Sequence, residues 1–470
     1  MRVSHLKKLL IAGVGVLLFS ACSITKNFKR PEVKTKHLYN QPVSLDSTTL
    51  ADMPWQQVFT DPHLQNLIQE ALDNNLNLQV SIQQIREAEA NLYQSKMQLL
   101  PSLNAHANET HSELSDNASS FPGQSSSRDQ FNASLSTSWE ADIWGKLGSA
   151  KRADYANLLR SEAARRAVQT TLIADVANTY YNLMALDAKL RITRQTVQNR
   201  KKVVQTMQQL KQSSVVTGAA VVQSMANRYS AEVTIPDIKQ RIQEQENVLS
   251  ILLGRNPGPI QRGTLADESL PDTLEVGVPA QLLRNRPDVI ASEYAFRSAF
   301  ETTNNARTYF YPSLTITAEG GFSSLRLEDL LKPGSIFANI VGGLTQPIFD
   351  QGRNKAYLKA SKARQKEALY RYKNTILNAG REVSNALSSY RNAEDKKELR
   401  TKELDALQKS VDYSQQLLKY GNANYTEVLT AQQNLLSAEL SQINDQLQQL
   451  TSVVELYRAL GGGWNKKLDK

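Results

Sequence analysis

SAKRADYANLLRSEAARRAVQTTLIADVANTYYNLMALDAKLRITRQTVQNRKKVVQTMQQLKQSSVVT, residues Ser149 to Thr217, contains neither glycine nor proline. Good helix formers dominate it, and nothing inside would stop a helix. A second such stretch runs from Arg353 to Tyr420 with only Gly380 inside. At 1.5 Å of rise per residue, nearly 70 residues make a rod on the order of 100 Å long. Such a rod cannot be the core of a compact globule. Each rod is followed by a return arm. In the second arm Leu436, Leu440, Ile443, Leu447, Leu450, Val454 and Tyr457 form a heptad seam, and the facing stripe is Leu404, Leu407, Val411, Ser414 and Leu418. That spacing predicts left-handed, antiparallel coiled-coil packing. Pro236 stands inside the first return arm and should bend or break it.

The two rods belong to an internal duplication. Gly145-Lys146 and Gly352-Arg353 stand 207 residues apart, and the same offset pairs Asn178 with Asn385, Val221 with Val428, and Leu253-Gly254 with Leu460-Gly461. Upstream the offset is 211: Pro101-Ser102-Leu103 matches Pro312-Ser313-Leu314, and Asn74, Ser81, Arg86 and Ala88 match Asn285, Ser292, Arg297 and Ala299. The copies span 71–254 and 282–461, with a linker at 255–281 and a tail at 462–470. Each holds an amphipathic helix ending at Pro101 or Pro312, a segment of strand character, a rod, a tight turn and a return arm.

The segments 102–144 and 313–349 read as β-hairpins. Phe131, Ala133, Leu135, Thr137, Trp139, Ala141 and Ile143 alternate with Asn132, Ser134, Ser136, Ser138, Glu140 and Asp142. This is the apolar-out, polar-in pattern of a transmembrane barrel strand, with Trp139 and Trp144 at an interface. Leu314-Thr-Ile316-Thr-Ala318 and Ile336, Ala338, Ile340, Gly342 and Leu344 alternate likewise. A soluble sheet would need a core to pack on, and rods provide none. Four strands per chain are too few to close a barrel, and lipid does not tolerate open edges. Several chains must therefore share one. Two would leave too narrow a lumen; three or four remain open on the residues alone.

The first 21 residues read as a signal peptide: a basic start, an apolar run from Leu9 to Phe19 too short to span a bilayer, then Ser20-Ala21-Cys22. Leu18-Phe19-Ser20-Ala21-Cys22 is similar to a bacterial lipobox, with Phe19 where Leu is usual. Cys22, the chain's single cysteine, would carry the lipid and open the segment 22–70. The alternative is a plain signal peptide with an incidental cysteine. Ser23, in place of an inner-membrane-retaining Asp, implies passage to the outer membrane.

The motifs resemble the outer membrane factor (TolC-like) family, in particular its lipoprotein branch serving RND-type multidrug efflux. They are Trp55 to Leu64 with Leu67 to Asn75, Arg286-Pro287-Asp288, Ile348 to Arg353, and the closing Leu456 to Trp464 with Gly461-Gly462-Gly463. The resemblance covers roughly residues 28–464. It implies a mixed α/β membrane protein: a homotrimer sharing a twelve-stranded transmembrane β-barrel and a long coiled-coil α-barrel that reaches into the periplasm. It implies a periplasmic tip near Lys211–Val222 and Lys419–Leu429, opened by a periplasmic adaptor and an inner-membrane pump. Lys419, Tyr420, Asn422, Asn424 and Glu427 would line the aperture, and Ser214, Gly218 and Gly421 would shape the turns. Glu427 falls where one family branch has a ring Asp; Thr430 and Ala423 stand at two further positions that are acidic elsewhere. A ring of Glu427 would favour cations, whereas a lone Glu427 is an ordinary solvated residue. Ser214 replaces the turn glycine of the second copy and Gly218 comes four residues later, so the two tips should differ in shape.

Other chemistry finds no support. The five histidines, His5, His37, His63, His106 and His111, show no metal-ligand spacing, and no thiol remains for a metal. No phosphate loop or nucleophile elbow occurs, so no cofactor beyond the lipid on Cys22 is expected, and no enzyme activity. Removing Arg2, Lys7 and Lys8 reduces the formal charge of +9, too mild a balance for nucleic acid. The expected function is a passive efflux exit duct for drugs or other small toxic compounds. The alternatives are the exit duct of a type I protein-secretion system and a structural coiled-coil lipoprotein without channel activity.

Overall fold

The computed structural model describes residues 24–33, 38–39, 49–113, 127–268, 277, 279–420 and 422–464. It divides into two compact units: residues 1–32, 85–161 and 292–372, and residues 33–84, 162–291 and 373–470. Each unit draws on both copies of the duplication.

The first unit holds one antiparallel sheet of β1 (Ser102–Glu113), β2 (Ser127–Ala141), β3 (Ser313–Ser324) and β4 (Ile336–Thr345), in that order. Its register decides what each face presents, because residues directly opposite share a face. Leu103 opposes Thr137, Ala105 opposes Leu135, Trp139 opposes Ile316, Ala318 opposes Ile340 and Leu314 opposes Leu344. Most apolar residues of the four strands therefore merge into one surface, Phe337 and Val341 of β4 excepted. Its large members are exposed, Leu103 at 72%, Ile340 at 78% and Leu344 at 65%. The opposite face is polar and knitted by side chains. His106 bonds Ser136 at 2.9 Å, Ser134 donates to Glu319 at 2.7 Å and Ser323 donates to Asn132 at 2.7 Å. Strands of 10 to 15 residues are long enough for a tilted membrane crossing. They end at Ala141 and Thr345, short of the expected 144 and 349. After β2 the chain turns to cap the next helix: Asp142 accepts from the backbone N–H groups of Leu147 and Gly148, as Asp350 does from Asn354 in the second copy. Trp139 and Trp144 donate to the carbonyls of Leu99 and Pro312 at the strand bases.

Among the described residues seven longer helices carry the remainder: α1 (Pro62–Asn74), α2 (Leu76–Met97), α3 (Lys146–Gln212), α4 (Gly218–Leu252), α5 (Pro287–Thr308), α6 (Arg353–Lys419) and α7 (Tyr425–Leu460), with single turns at Trp55–Val58 and Leu282–Asn285. The duplication is visible in their ends. α2 and α5 begin and end 211 residues apart, as do β1 and β3; α3 and α6, each of 67 residues, begin and end 207 apart. Gly145 and Gly352, which mark that offset, both take positive φ, +73° and +80°.

The heptad seam packs as its spacing requires. Between Thr401 and Tyr420 only Leu404, Leu407, Val411, Ser414 and Leu418 escape full exposure, and the facing seam residues of α7 are buried or half-buried. Pro236 does not break its arm as it could have: α4 runs unbroken through it. Its ring lies on the exposed side of the helix, where water can satisfy the carbonyl that lacks its N–H partner. Gly380 has a different reason to be glycine. A Cβ there would come within 2.4 Å of the Leu38 side chain and 2.9 Å of its carbonyl oxygen, so the N-terminal segment lies directly on α6.

Candidate functional site

The tip residues split into two groups. Lys419, the last residue of α6, and Tyr420, Asn422 and Glu427 are exposed. Asn424 caps α7, its side chain accepting from the backbone N–H of Glu427 at 3.2 Å. The cap holds the start of α7 and leaves the Glu427 carboxylate free to face outward. Tyr425 and Val428, on the same turn, point the other way. Tyr425 is buried with Met207 and Val221, and Val203, Leu210, Leu418 and Leu429 pack around them. The tips of the two helical hairpins are thus held together by apolar contacts, which spacing arguments about the aperture alone do not anticipate.

The two turns correct an expectation. Ser214 takes φ +57°, and the N–H of Val215 reaches back to the carbonyl of Leu210 at 2.9 Å. In the second copy Asn422 reaches Leu417 at 2.9 Å, the same bond 207 residues on. The turns close alike although one has Ser where the other has Gly, because a serine can adopt the left-handed conformation at modest cost. Gly218 opens α4 behind the N-cap Thr217 and takes no part in that closure. Gly421 and Cys22 lie outside the described residues.

The two most specific sequence motifs meet in the second unit. Buried Arg286 donates to the Ala459 carbonyl at 3.1 Å and pairs with Asp288 at 2.6 Å and Glu382 at 2.9 Å. Trp464 donates to the carbonyl of Asn285 at 3.0 Å, and Arg166 stacks over its ring at 4.8 Å. Tyr457 donates to the Met53 carbonyl and accepts from the Gly463 N–H. The glycines are needed for close approach: a Cβ on Gly461 would sit 2.5 Å from the Asn285 oxygen, and one on Gly462 would strike the Tyr457 ring.

A model described as outer membrane efflux protein matches residues 67–255 and again residues 278–462. The chain belongs to the outer membrane efflux protein family. The twofold match follows the two copies. Among relatives, the probable outer membrane lipoprotein SilC of Salmonella typhimurium is 30% identical, with 97% of this chain and 99% of SilC covered. The cation efflux system protein CusC of Escherichia coli O6:H1 is 29% identical, with 96% and 97% covered. The open-state structure of the MtrE outer membrane channel of Neisseria gonorrhoeae superposes with a TM-score of 0.84 at 26% identity, over 95% of this chain and 99% of that one. This outer membrane efflux protein therefore has the fold of the outer membrane channels, and its family is one of transport ducts, not of enzymes. Efflux is favoured over a protein-secretion duct or a coiled-coil lipoprotein without a channel.

Among the described residues no helix is long and apolar enough to cross a membrane, and the apolar sheet face is the surface suited to lipid. Residues that follow Cys22 are tied to the unit that holds the sheet. Lys26 exchanges two backbone bonds with the Asn304 side chain, Phe28 sits between Phe296 and Phe300, and Arg30 pairs with Glu293.

Proposed function

We propose that three copies form the outer-membrane exit duct of a tripartite efflux pump, anchored by lipid on Cys22 and exporting drugs or other small toxic compounds. The observation that carries this reading is the four-stranded sheet with one lipid-compatible face, one hydrated face and unpaired outer edges on β1 and β4. Backbone groups left unpaired in lipid cost several kcal/mol each, so β1 of one protomer pairs with β4 of the next. Three protomers give twelve strands and twelve helical arms around a common lumen. The exposed tip then meets a periplasmic adaptor, and an inner-membrane pump of the RND type supplies the energy. Three Glu427 carboxylates surround the aperture and favour cations.

Cysteine cross-linking tests the shared barrel, because the lipid occupies the natural cysteine. Asn104→Cys on β1 is combined in turn with Asn339→Cys, Val341→Cys and Gly343→Cys on β4. Oxidation should yield covalent trimers for one register, and the unlinked protein should give stable conductance steps in planar bilayers. Linkage that stops at dimers, or no conductance at all, would sink the proposal. Glu427→Gln should lower cation over anion selectivity; unchanged selectivity removes the ring.

A further inference from the structure

Arg200, on α3, is 8% exposed. A guanidinium so deeply placed is ordinarily ion-paired. Among the described residues Arg200 has no ion pair; its Nη1 donates to the backbone carbonyl of Asn227 on α4. Its Nε is buried without an acceptor. Burial pulls the guanidinium below its ordinary pKa, and the nearby Tyr425 hydroxyl offsets part of that. A buried cation with an unpaired donor and no carboxylate in an ion pair lacks an anionic acceptor.

Arg200 also lines a cavity of about 1000 Å³ between α3, α6 and α7. One side is apolar, with Val203, Leu210, Val411, Leu418 and Leu435. The charged residues on it are Arg200, Lys202, Lys419, Asp412 and Glu439, which leaves an excess of positive charge. The volume is that of a site for a drug-sized molecule. An inorganic anion would satisfy Arg200 and leave the apolar wall in water; an uncharged hydrophobe would do the reverse.

We propose that this cavity binds a small amphiphilic anion, its carboxylate on Arg200 and its apolar body along Val203, Val411 and Leu435. The ligand bridges the first helical hairpin and the second, so it stabilises their association. No proton or electron is transferred. Binding is a property of the folded helices, separable from conductance.

The test uses the full-length purified protein in amphipol and saturation-transfer NMR, with octanoate as probe and octan-1-ol and acetate as controls. Octanoate should bind saturably. Arg200→Gln should weaken it at least about tenfold, and Arg200→Lys should restore part of the affinity. Leu435→Trp, which fills the apolar wall from a half-buried position outside the heptad seam and keeps the arginine, should also remove binding and guards against misfolding of the first variant. Acetate binding as tightly as octanoate would make this a site for any small anion, with no part for the apolar wall, and overturn the proposal. Equal octanoate affinity in Arg200→Gln, or no saturable binding to the natural protein, would do the same.

Discussion

The two copies meet the same structural problem with different side chains. After each return arm the chain turns through a left-handed glycine, Gly254 at φ +70° and Gly461 at φ +87°. Each glycine lies against a carbonyl oxygen of the helix leading into its copy. A Cβ would meet Asn74 at 2.4 Å in the first and Asn285 at 2.5 Å in the second. The residue after that asparagine captures a carbonyl at the end of the arm. In the first copy Asn75 donates to Leu252 at 2.8 Å; in the second Arg286 donates to Ala459 at 3.1 Å. Backbone geometry has outlasted the duplication, while a neutral amide has been exchanged for a buried cation with two carboxylates. The difference shows which part of the joint is replaceable: the donor must be there, but its charge is optional if partners accompany it.

Truncating the two donors should separate the copies most strongly. Arg286→Ala removes a buried donor bonded to two carboxylates, but Asp288 is 40% exposed and Glu382 keeps Arg458, so the loss is about 2–3 kcal/mol. Asn75→Ala removes neutral hydrogen bonds, at about 1–2 kcal/mol. Urea unfolding of the detergent-solubilised protein should show that order, and equal losses would break the comparison. Where the copies agree, the effects should agree. Gly254→Ala and Gly461→Ala each force an alanine into the left-handed region, at about 1–2 kcal/mol, and each drives a methyl into a backbone oxygen. Both should therefore lose about 2 kcal/mol or more; a clear inequality would show that one joint relaxes and the other does not.

The linker after the first copy adds a pH dependence. Burial, then the neighbouring carboxylate of Asp61, pushes the Glu268 carboxyl up to about 7. Asp61 also accepts from Tyr180, which in turn accepts from the Gly263 N–H. A carboxyl with a raised pKa is held neutral by the fold, so the folded chain binds more protons than the unfolded one between the ordinary Glu value and about 7. Stability should then fall as pH rises through that window. Glu268→Gln should flatten the profile of apparent unfolding temperature from about pH 5 to 8 and raise it at the alkaline end. A profile unchanged by the substitution would place the pH dependence elsewhere.

Much of this was legible because it is periodic. The seam from Leu436 to Tyr457, the alternation in β2 and the offsets of 207 and 211 are repeated signals, and repetition survives weak identity. What escaped depends on contacts between distant residues. Nothing local to Arg286 names Glu382 or Ala459, and nothing local to Tyr425 names Met207. Even the resemblance marked Arg286-Pro287-Asp288 and Gly461-Gly462-Gly463-Trp464 only as separate motifs, without saying that they touch. Pro236 left a bend or a break open, and the break does not occur. The local rule for proline is sound, but on the exposed side of a 35-residue helix one missing bond does not end the helix. Arg200 was silent in the sequence because one more arginine in a basic rod looks like a solvated charge.

The smallest effect lies at the tips and asks why the turns close alike. Ser214 holds φ +57°, while the equivalent position of the second copy, 207 residues on, is Gly421. A serine in the left-handed region is disfavoured by about 1 kcal/mol or slightly more, because its Cβ crowds the following carbonyl. Glycine removes that crowding but gives the unfolded chain more freedom, which offsets part of the gain. Ser214→Gly should therefore stabilise by about 0.5 kcal/mol, read as a higher urea midpoint with an unchanged slope. The Val215 N–H bond to Leu210 should persist, so exchange protection of the Val215 amide should rise, not fall. A loss of stability would mean that the Ser214 side chain supports the turn, and the serine would then be a second solution to closing a tip rather than a tolerated strain.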